Sequence, residues 1–269
     1  DHEDLVGQIW VNPGEDLNGN GIIESSEIDG IDNDADGYID DFYGWDFSGD
    51  VEPEIVNQAG IVYFPDNDPT DYHGHGTHVT GIAAAASGNG IGIAGIASSS
   101  RVMALKVFPY AFTSVCVEAI VYAADHGCDV INLSWGSNFP SVALKEALDY
   151  AVSRGTLPVA ASGNAGHLEN FHSYPAAYDN TLAVGASNSL DEVTYFSSYG
   201  DHIDVVAPGR DILSLRADSL DPYELEPWVH IVAERYYLMD GTSMAAPCVT
   251  GLAAYLRALA PQLGVDSLR

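Results

Sequence analysis

Short β-branched runs alternate with helical patterns along most of the chain, and that alternation leaves few architectures open. Val102–Val107, Asp129–Leu133, Leu157–Ala161, Thr181–Gly185 and Ile203–Val206 have the length and residue types of buried strands. Between the second and third runs, Leu144, Leu148, Ala151 and Val152 recur at i, i+4, i+7 and i+8, which is one face of a helix. Met244, Cys248, Leu252 and Leu256 form a four-residue ladder near the C-terminus, which predicts a helix buried along that face. Strands separated by helices build a parallel sheet with helices on both faces. The expected class is therefore α/β, a doubly wound, mostly parallel sheet flanked by helices. At 269 residues one unit of this class accommodates the whole chain. Ala217–Leu238, polar and aromatic, reads as a surface excursion before the last helix.

The charge is placed unevenly. Of the 39 acidic residues, 20 fall within residues 1–71, where Lys and Arg are absent; the first cation is Arg101. A formal net charge of -30 argues against nucleic acid or an anionic membrane as partner, and no run of 18 apolar residues is present to span a bilayer. Cys116, Cys128 and Cys248 are too few for a disulfide framework and lie in apolar stretches, so all three read as core.

An acidic block this dense needs cations. Asp16, Asn18, Asn20, Gly21, Ile22, Glu24 and Glu27 occupy positions 1, 3, 5, 6, 7, 9 and 12 of an EF-hand-like loop. Calcium wants six to eight oxygens, here side-chain oxygens, the Ile22 carbonyl and a bidentate Glu27. Asp32, Asp34, Asp36, Gly37 and Tyr38 repeat positions 1, 3, 5, 6 and 7, followed by Asp40 and Asp41; position 12 is Tyr43, so this second loop must close differently. Residues 12–43 are therefore expected to be a calcium-binding insertion. Asp66, Asp68 and Asp71 form a third acidic cluster, for which calcium and an empty turn are equally expected.

Three polar motifs fall at predicted element ends. His75-Gly76-Thr77-His78 opens an Ala-rich helix, Ala161-Ser162-Gly163-Asn164 closes a strand, and Gly241-Thr242-Ser243-Met244-Ala245-Ala246-Pro247 opens the last helix. An α/β sheet places its active site on such ends. A serine nucleophile needs a base, and an acyl-transfer intermediate needs fixed donors for its oxyanion; His, Ser and Asn supply these roles. His78 follows His75 by three residues without the intervening Glu of a zinc protease, and reads as structural.

In order and spacing the three motifs resemble the subtilisin family of serine proteases over about Asp1 to Gln262, as do the stretches 129–136, 174–176 and 204–209. The resemblance implies His75 as general base, Ser243 as nucleophile and Asn164 as oxyanion donor. It implies that Ser134, Trp135 and Gly136 pair with substrate backbone, with Ala161, Ser162 and Gly163 as the opposite wall of the pocket. It further implies protein or peptide substrates, an N-terminal pro-domain before maturation, and a secreted or extracellular location. Cys248 departs from the family, which has a His there. The family's triad acid follows a buried strand and, counted back from His2, falls before residue 1; Asp29 and Asp36 lack such a strand. The expectation is a peptidase domain over residues 1–269, truncated at both ends. A non-catalytic calcium-dependent domain of the same fold is the alternative, which intact His75, Asn164 and Ser243 disfavour.

Overall fold

The computed structural model describes residues 2–49, 65–109, 111–168, 171–217 and 229–269. Nine strands and five helices are assigned among them, in the order β1 (Gly44–Asp46), α1 (His75–Ala84), β2 (Ala104–Lys106), α2 (Thr113–Asp125), β3 (Val130–Leu133), α3 (Val142–Ser153), β4 (Leu157–Ala161), β5 (Leu182–Ser187), β6 (Val205–Pro208), β7 (Ile212–Leu215), β8 (His230–Ala233), β9 (Tyr236–Met239), α4 (Thr242–Leu259) and α5 (Val265–Leu268).

The centre is a parallel sheet in the order β3-β4-β5-β6. Its inner strands are buried on both faces, which is why they read as unbroken apolar runs. The period-2 alternation of strand side chains divides them between two cores. Ala160 and Ala183 point to the side covered by α2 and α3, where Cys116, Ile120, Leu144, Leu148 and Ala151 gather. Leu157, Val159, Leu182 and Val184 point to the side covered by α4, against Ala245, Ala246 and Ala253. Helices on both faces make the sheet doubly wound, as expected. All five predicted strands exist, with ends displaced by no more than two residues; β6 starts at Val205 instead of Ile203.

Two expectations fail. In α4, Met244 is buried but Leu252 and Leu256 are 50% and 38% exposed, so the ladder does not define the buried face. The helix turns Met244–Pro247, Thr250, Gly251 and Ala253 inward instead. Small residues win because α4 must lie close to both the sheet and α1: a Cβ on Gly251 would come 3.0 Å from the Ala83 carbonyl oxygen. Second, the segment read as a surface excursion is one only in part: β8 is exposed throughout, but β8 and β9 join an antiparallel sheet ordered β7-β9-β8. Tyr237 within it is 0% exposed and packs edge-on against His78. The part from 218 to 228 lies outside the described residues.

β1 and β2 form a separate parallel pair, in which Gly44 at φ +120° lies against the Ala104 carbonyl where no side chain fits. Their core is continuous with that of the main sheet, since Phe47 and Val107 cluster with Ile131 and Leu133. Each of β2 and β3 is nevertheless hydrogen-bonded to a neighbouring strand on one side, β1 and β4 respectively. Cys116 is buried, and Cys128 and Cys248 pack half-buried against the cores. Burial raises the Cys116 thiol to about 12 and the other two to about 11, so all three stay protonated at neutral pH.

Candidate active site

Asp71 organises the start of α1. One carboxylate oxygen accepts the backbone N–H groups of His73 and Gly74, at 2.8 and 2.9 Å, and the other accepts the N–H and hydroxyl of Thr77, both at 2.8 Å. Burial alone would raise the Asp71 pKa, but these hydrogen bonds outweigh it and lower it. Asp66 and Asp68 accept turn amides, so the third acidic cluster consists of turns and a helix start.

His75 stands at the first position of α1. Burial first, then neighbouring His73, lower its pKa to about 4 against the opposing pull of Asp71. At neutral pH it is the neutral imidazole, the form that accepts a proton. One turn on, His78 is fully buried with Nε2 at 3.2 and 3.3 Å from the carbonyl oxygens of Ile212 and Tyr237. Its role is to tie α1 to the antiparallel sheet, as a structural histidine should. His73 stacks on Phe108, with the rings 4° from parallel and 5.2 Å apart, and Phe108 also meets the edge of His75.

Ser243 occupies the first turn of α4, which packs on α1; Val79 of α1 and Met244 of α4 share one core cluster. Pro247 lies four residues after Ser243 and has no N–H to bond its carbonyl. The hydroxyl of Ser134, at the end of β3, donates to that carbonyl at 2.8 Å. Ser243 Oγ in turn donates to the Ser134 carbonyl at 3.2 Å, its hydrogen bond among the described residues. Asn132 and Thr250 extend the link, with Thr250 donating to Asn132 and Asn132 to Ser134 Oγ, at 2.8 and 2.9 Å.

Asn164, just past β4, is held by Thr242. The backbone N–H and the hydroxyl of Thr242 both donate to Asn164 Oδ1, at 2.9 and 3.0 Å. The amide Nδ2 is thereby directed to the Gly241–Ser243 turn, where it would be 3.5 Å from a Cβ on Gly241. With its oxygen anchored and its nitrogen left beside the Gly241 backbone, the Asn164 amide has the orientation an oxyanion donor requires.

The proposed pocket walls divide differently. Ala161 and Ser162 are buried, so that segment can offer a substrate only its backbone near Gly163. Trp135 and Gly136 line a cavity of about 220 Å³ with Phe108, Cys116, Phe139 and Tyr174. Ser173, which the sequence alone did not single out, stands between the two walls: a Cβ on Gly136 would collide with its hydroxyl, and one on Gly163 would come 3.3 Å from its Cβ. Thr242 was missed for a similar reason, because its partner is 78 residues away.

The subtilase family profile matches residues 7–269. The chain belongs to the subtilase family. It is 41% identical over 235 residues to the thermophilic serine proteinase of Bacillus sp. (strain AK1), covering 80% of this chain and 54% of that one. It is 40% identical over 199 residues to thermitase of Thermoactinomyces vulgaris, covering 72% and 65%. The chain thus spans between half and two thirds of these relatives. Among solved structures, sphericase superposes with a TM-score of 0.67 at 30% identity, over 83% of this chain and 72% of that one. A protease of Pseudoalteromonas arctica PAMC 21717 gives 0.70 at 27% identity, over 84% and 74%.

This subtilase carries two acidic loops that repeat one hydrogen-bond pattern. In the first, Asp16 accepts from the N–H of Asn20 and Gly21, Asn18 Oδ1 from Asn20, and Asn20 Oδ1 from Ile22. Sixteen residues on, Asp32 accepts from Asp36 and Gly37, Asp34 from Asp36, and Asp36 from Tyr38. Glu27 closes the first loop on the N–H groups of Asn18 and Glu24. The second has no such Glu; Asp36 Oδ2 lies 3.0 Å from His126 Nε2, and Tyr38 turns its ring into an aromatic cluster with Trp45, Phe47 and Tyr122. Asp41 accepts from Asn12 and Tyr122. Glu15, which the loop register omitted, is fully buried and lies with Asp34 and Asp41 so that one oxygen of each falls within 4.8 Å of the others. Burial, foremost, raises both Glu15 and Asp41, and raises Asp36 to about 6. The oxygens of buried Glu15 and Asp41 and exposed Asp34 converge as a donor set that suits a hard cation such as calcium.

Proposed function

We propose that this chain is the peptidase domain of a secreted, calcium-stabilised serine endopeptidase. The orientation of Asn164 on Thr242 carries the reading, because it fixes an amide donor beside a serine at a helix N-terminus. In the reaction Ser243 Oγ attacks the scissile carbonyl while neutral His75 takes its proton. Asn164 Nδ2, the Ser243 N–H and the positive end of α4 stabilise the oxyanion. His75 returns the proton to the leaving amine, and water, deprotonated by His75, releases the acyl group. The substrates are proteins or peptides, with an extended segment running past Ser134–Gly136 and an apolar side chain entering the Trp135 cavity.

For the triad acid, we place an upstream strand between β2 and β3, each of which has one strand neighbour among the described residues. Such a strand would join the two parallel sheets over the core they already share. An N-terminal pro-domain is part of the same reading. Calcium would be held by Asp16, Asn18, Asn20, Ile22 and Glu27, and by Asp32, Asp34, Asp36, Tyr38 and Asp41 with Glu15. It would supply positive charge to carboxylates that otherwise repel one another, and take no part in catalysis.

Residues 1–269 alone and the same chain preceded by its upstream strand should be compared in a casein assay and by labelling with a fluorophosphonate. The longer protein should hydrolyse casein and label at Ser243, and the shorter should be folded less stably and turn over about four orders of magnitude more slowly. Near-equal turnover by the two would move the third catalytic residue into this chain. Failure of the longer protein to label would leave a binding domain.

A further inference from the structure

The mechanism leaves one histidine pair unused. The rings of His172 and His202 lie 4.4 Å apart, centroid to centroid, with their planes inclined at 49°. Both ring nitrogens of His202 are buried without a hydrogen-bond partner. Two other inward-facing histidines each have at least one ring nitrogen partnered: His78 meets two carbonyls through Nε2, and His126 meets the Tyr122 carbonyl through Nδ1. An imidazole always carries at least one N–H, and when neutral one lone pair, so burying both nitrogens unpartnered forfeits two hydrogen bonds to water. His172 is exposed, so the pair is open to solute.

We propose that His172 and His202 form a binding site for a divalent transition-metal ion of the zinc class, with one nitrogen from each ring and solvent completing the coordination. Two imidazole nitrogens on one zinc, at bond lengths of about 2.0–2.1 Å, stand roughly 3.3 Å apart, which adjacent rings reach by side-chain rotation. Calcium does not compete, because it prefers oxygen donors. Asp204 is already engaged, accepting from the Ala183 N–H and facing Arg269, so it does not serve as a ligand. The ion would also fix the backbone next to Ser173, whose side chain separates the two walls of the substrate pocket. Metal binding there is thus coupled to the shape of that pocket.

The test is calorimetric titration of the full-length protein with zinc chloride in saturating calcium, with cobalt(II) absorption as a second readout. One zinc ion should bind, cobalt should give the visible bands of nitrogen-ligated tetrahedral metal, and both signals should vanish in His172→Gln and His202→Gln but persist in His73→Gln. Because His172 is exposed, His172→Gln decides the matter even should His202→Gln fold poorly, with circular dichroism confirming its fold. The proposal is overturned if the wild type binds no zinc, if His172→Gln binds it unchanged, or if His73→Gln abolishes binding.

Discussion

Thr242 fixes the Asn164 side chain through two hydrogen bonds to the same atom, Oδ1. Rotating the amide would present a second donor to the Thr242 N–H and turn the oxygen on the oxyanion. Asn164→Ala in the full-length protein should therefore lower kcat by about two to three orders of magnitude with KM little changed, the loss known for removing this donor in subtilisin itself. Thr242→Val keeps the backbone bond and loses the hydroxyl, so its kcat should fall less. A defect confined to KM in either variant would argue against the oxyanion role.

Ser134 substitutes for the N–H that Pro247 lacks. Ser134→Ala leaves the part-buried Ser243 carbonyl without that donor and should cost about 1–3 kcal/mol in a denaturant titration. Pro247→Ala restores the backbone donor, so the double variant should recover part of the loss. Strict additivity of the two substitutions would show that they do not share the carbonyl.

His78 sets an acid limit on stability. Its folded pKa is about 3, lowered chiefly by burial, against an unfolded value of 6.5. Between these values the unfolded chain binds the proton and the folded chain does not. The stabilisation is therefore whole above pH 6.5 and is lost as pH falls toward 3. His75, lowered to about 4, acts in the same direction. The melting temperature should fall on acidification from pH 7 to 5, and less steeply in His78→Gln. An unchanged slope in that variant would remove His78 from the explanation.

Chelation should lower the melting temperature at neutral pH. Mass action sets the scale, about 2.7 kcal/mol for one site at a hundred times its Kd. Asp16→Ala and Asp32→Ala should each abolish part of the calcium-dependent gain. Glu15→Gln should diminish it too, although Glu15 lies outside both loop registers. A melting temperature indifferent to excess chelator would reject structural calcium.

The elements legible in the sequence were those governed by local repetition. Buried strands such as Leu157–Ala161 announce themselves because both faces are covered, and the loops at Asp16 and Asp32 because each side chain bonds an amide a few residues away. The face of α4 was misread because its burial is carried by Ala, Gly and Thr, whose small size matters only against a neighbouring helix. Tyr237 was taken for surface because its burial depends on α1 and its histidine, far away in the chain.

By itself the sequence determined the class of the fold and the family, and it singled out His75, Asn164 and Ser243 as candidates, since residue type and order along the chain suffice for these. Tertiary structure alone decided that Ser173 separates the pocket walls, that Ser134 serves the Pro247 gap, that Glu15 joins Asp34 and Asp41, and that His172 meets His202. Each of these joins groups at least seven residues apart, and most join groups tens of residues apart. Hydrogen-bond direction and close packing act over a few ångströms of space, whatever the separation in sequence, so no local pattern records them.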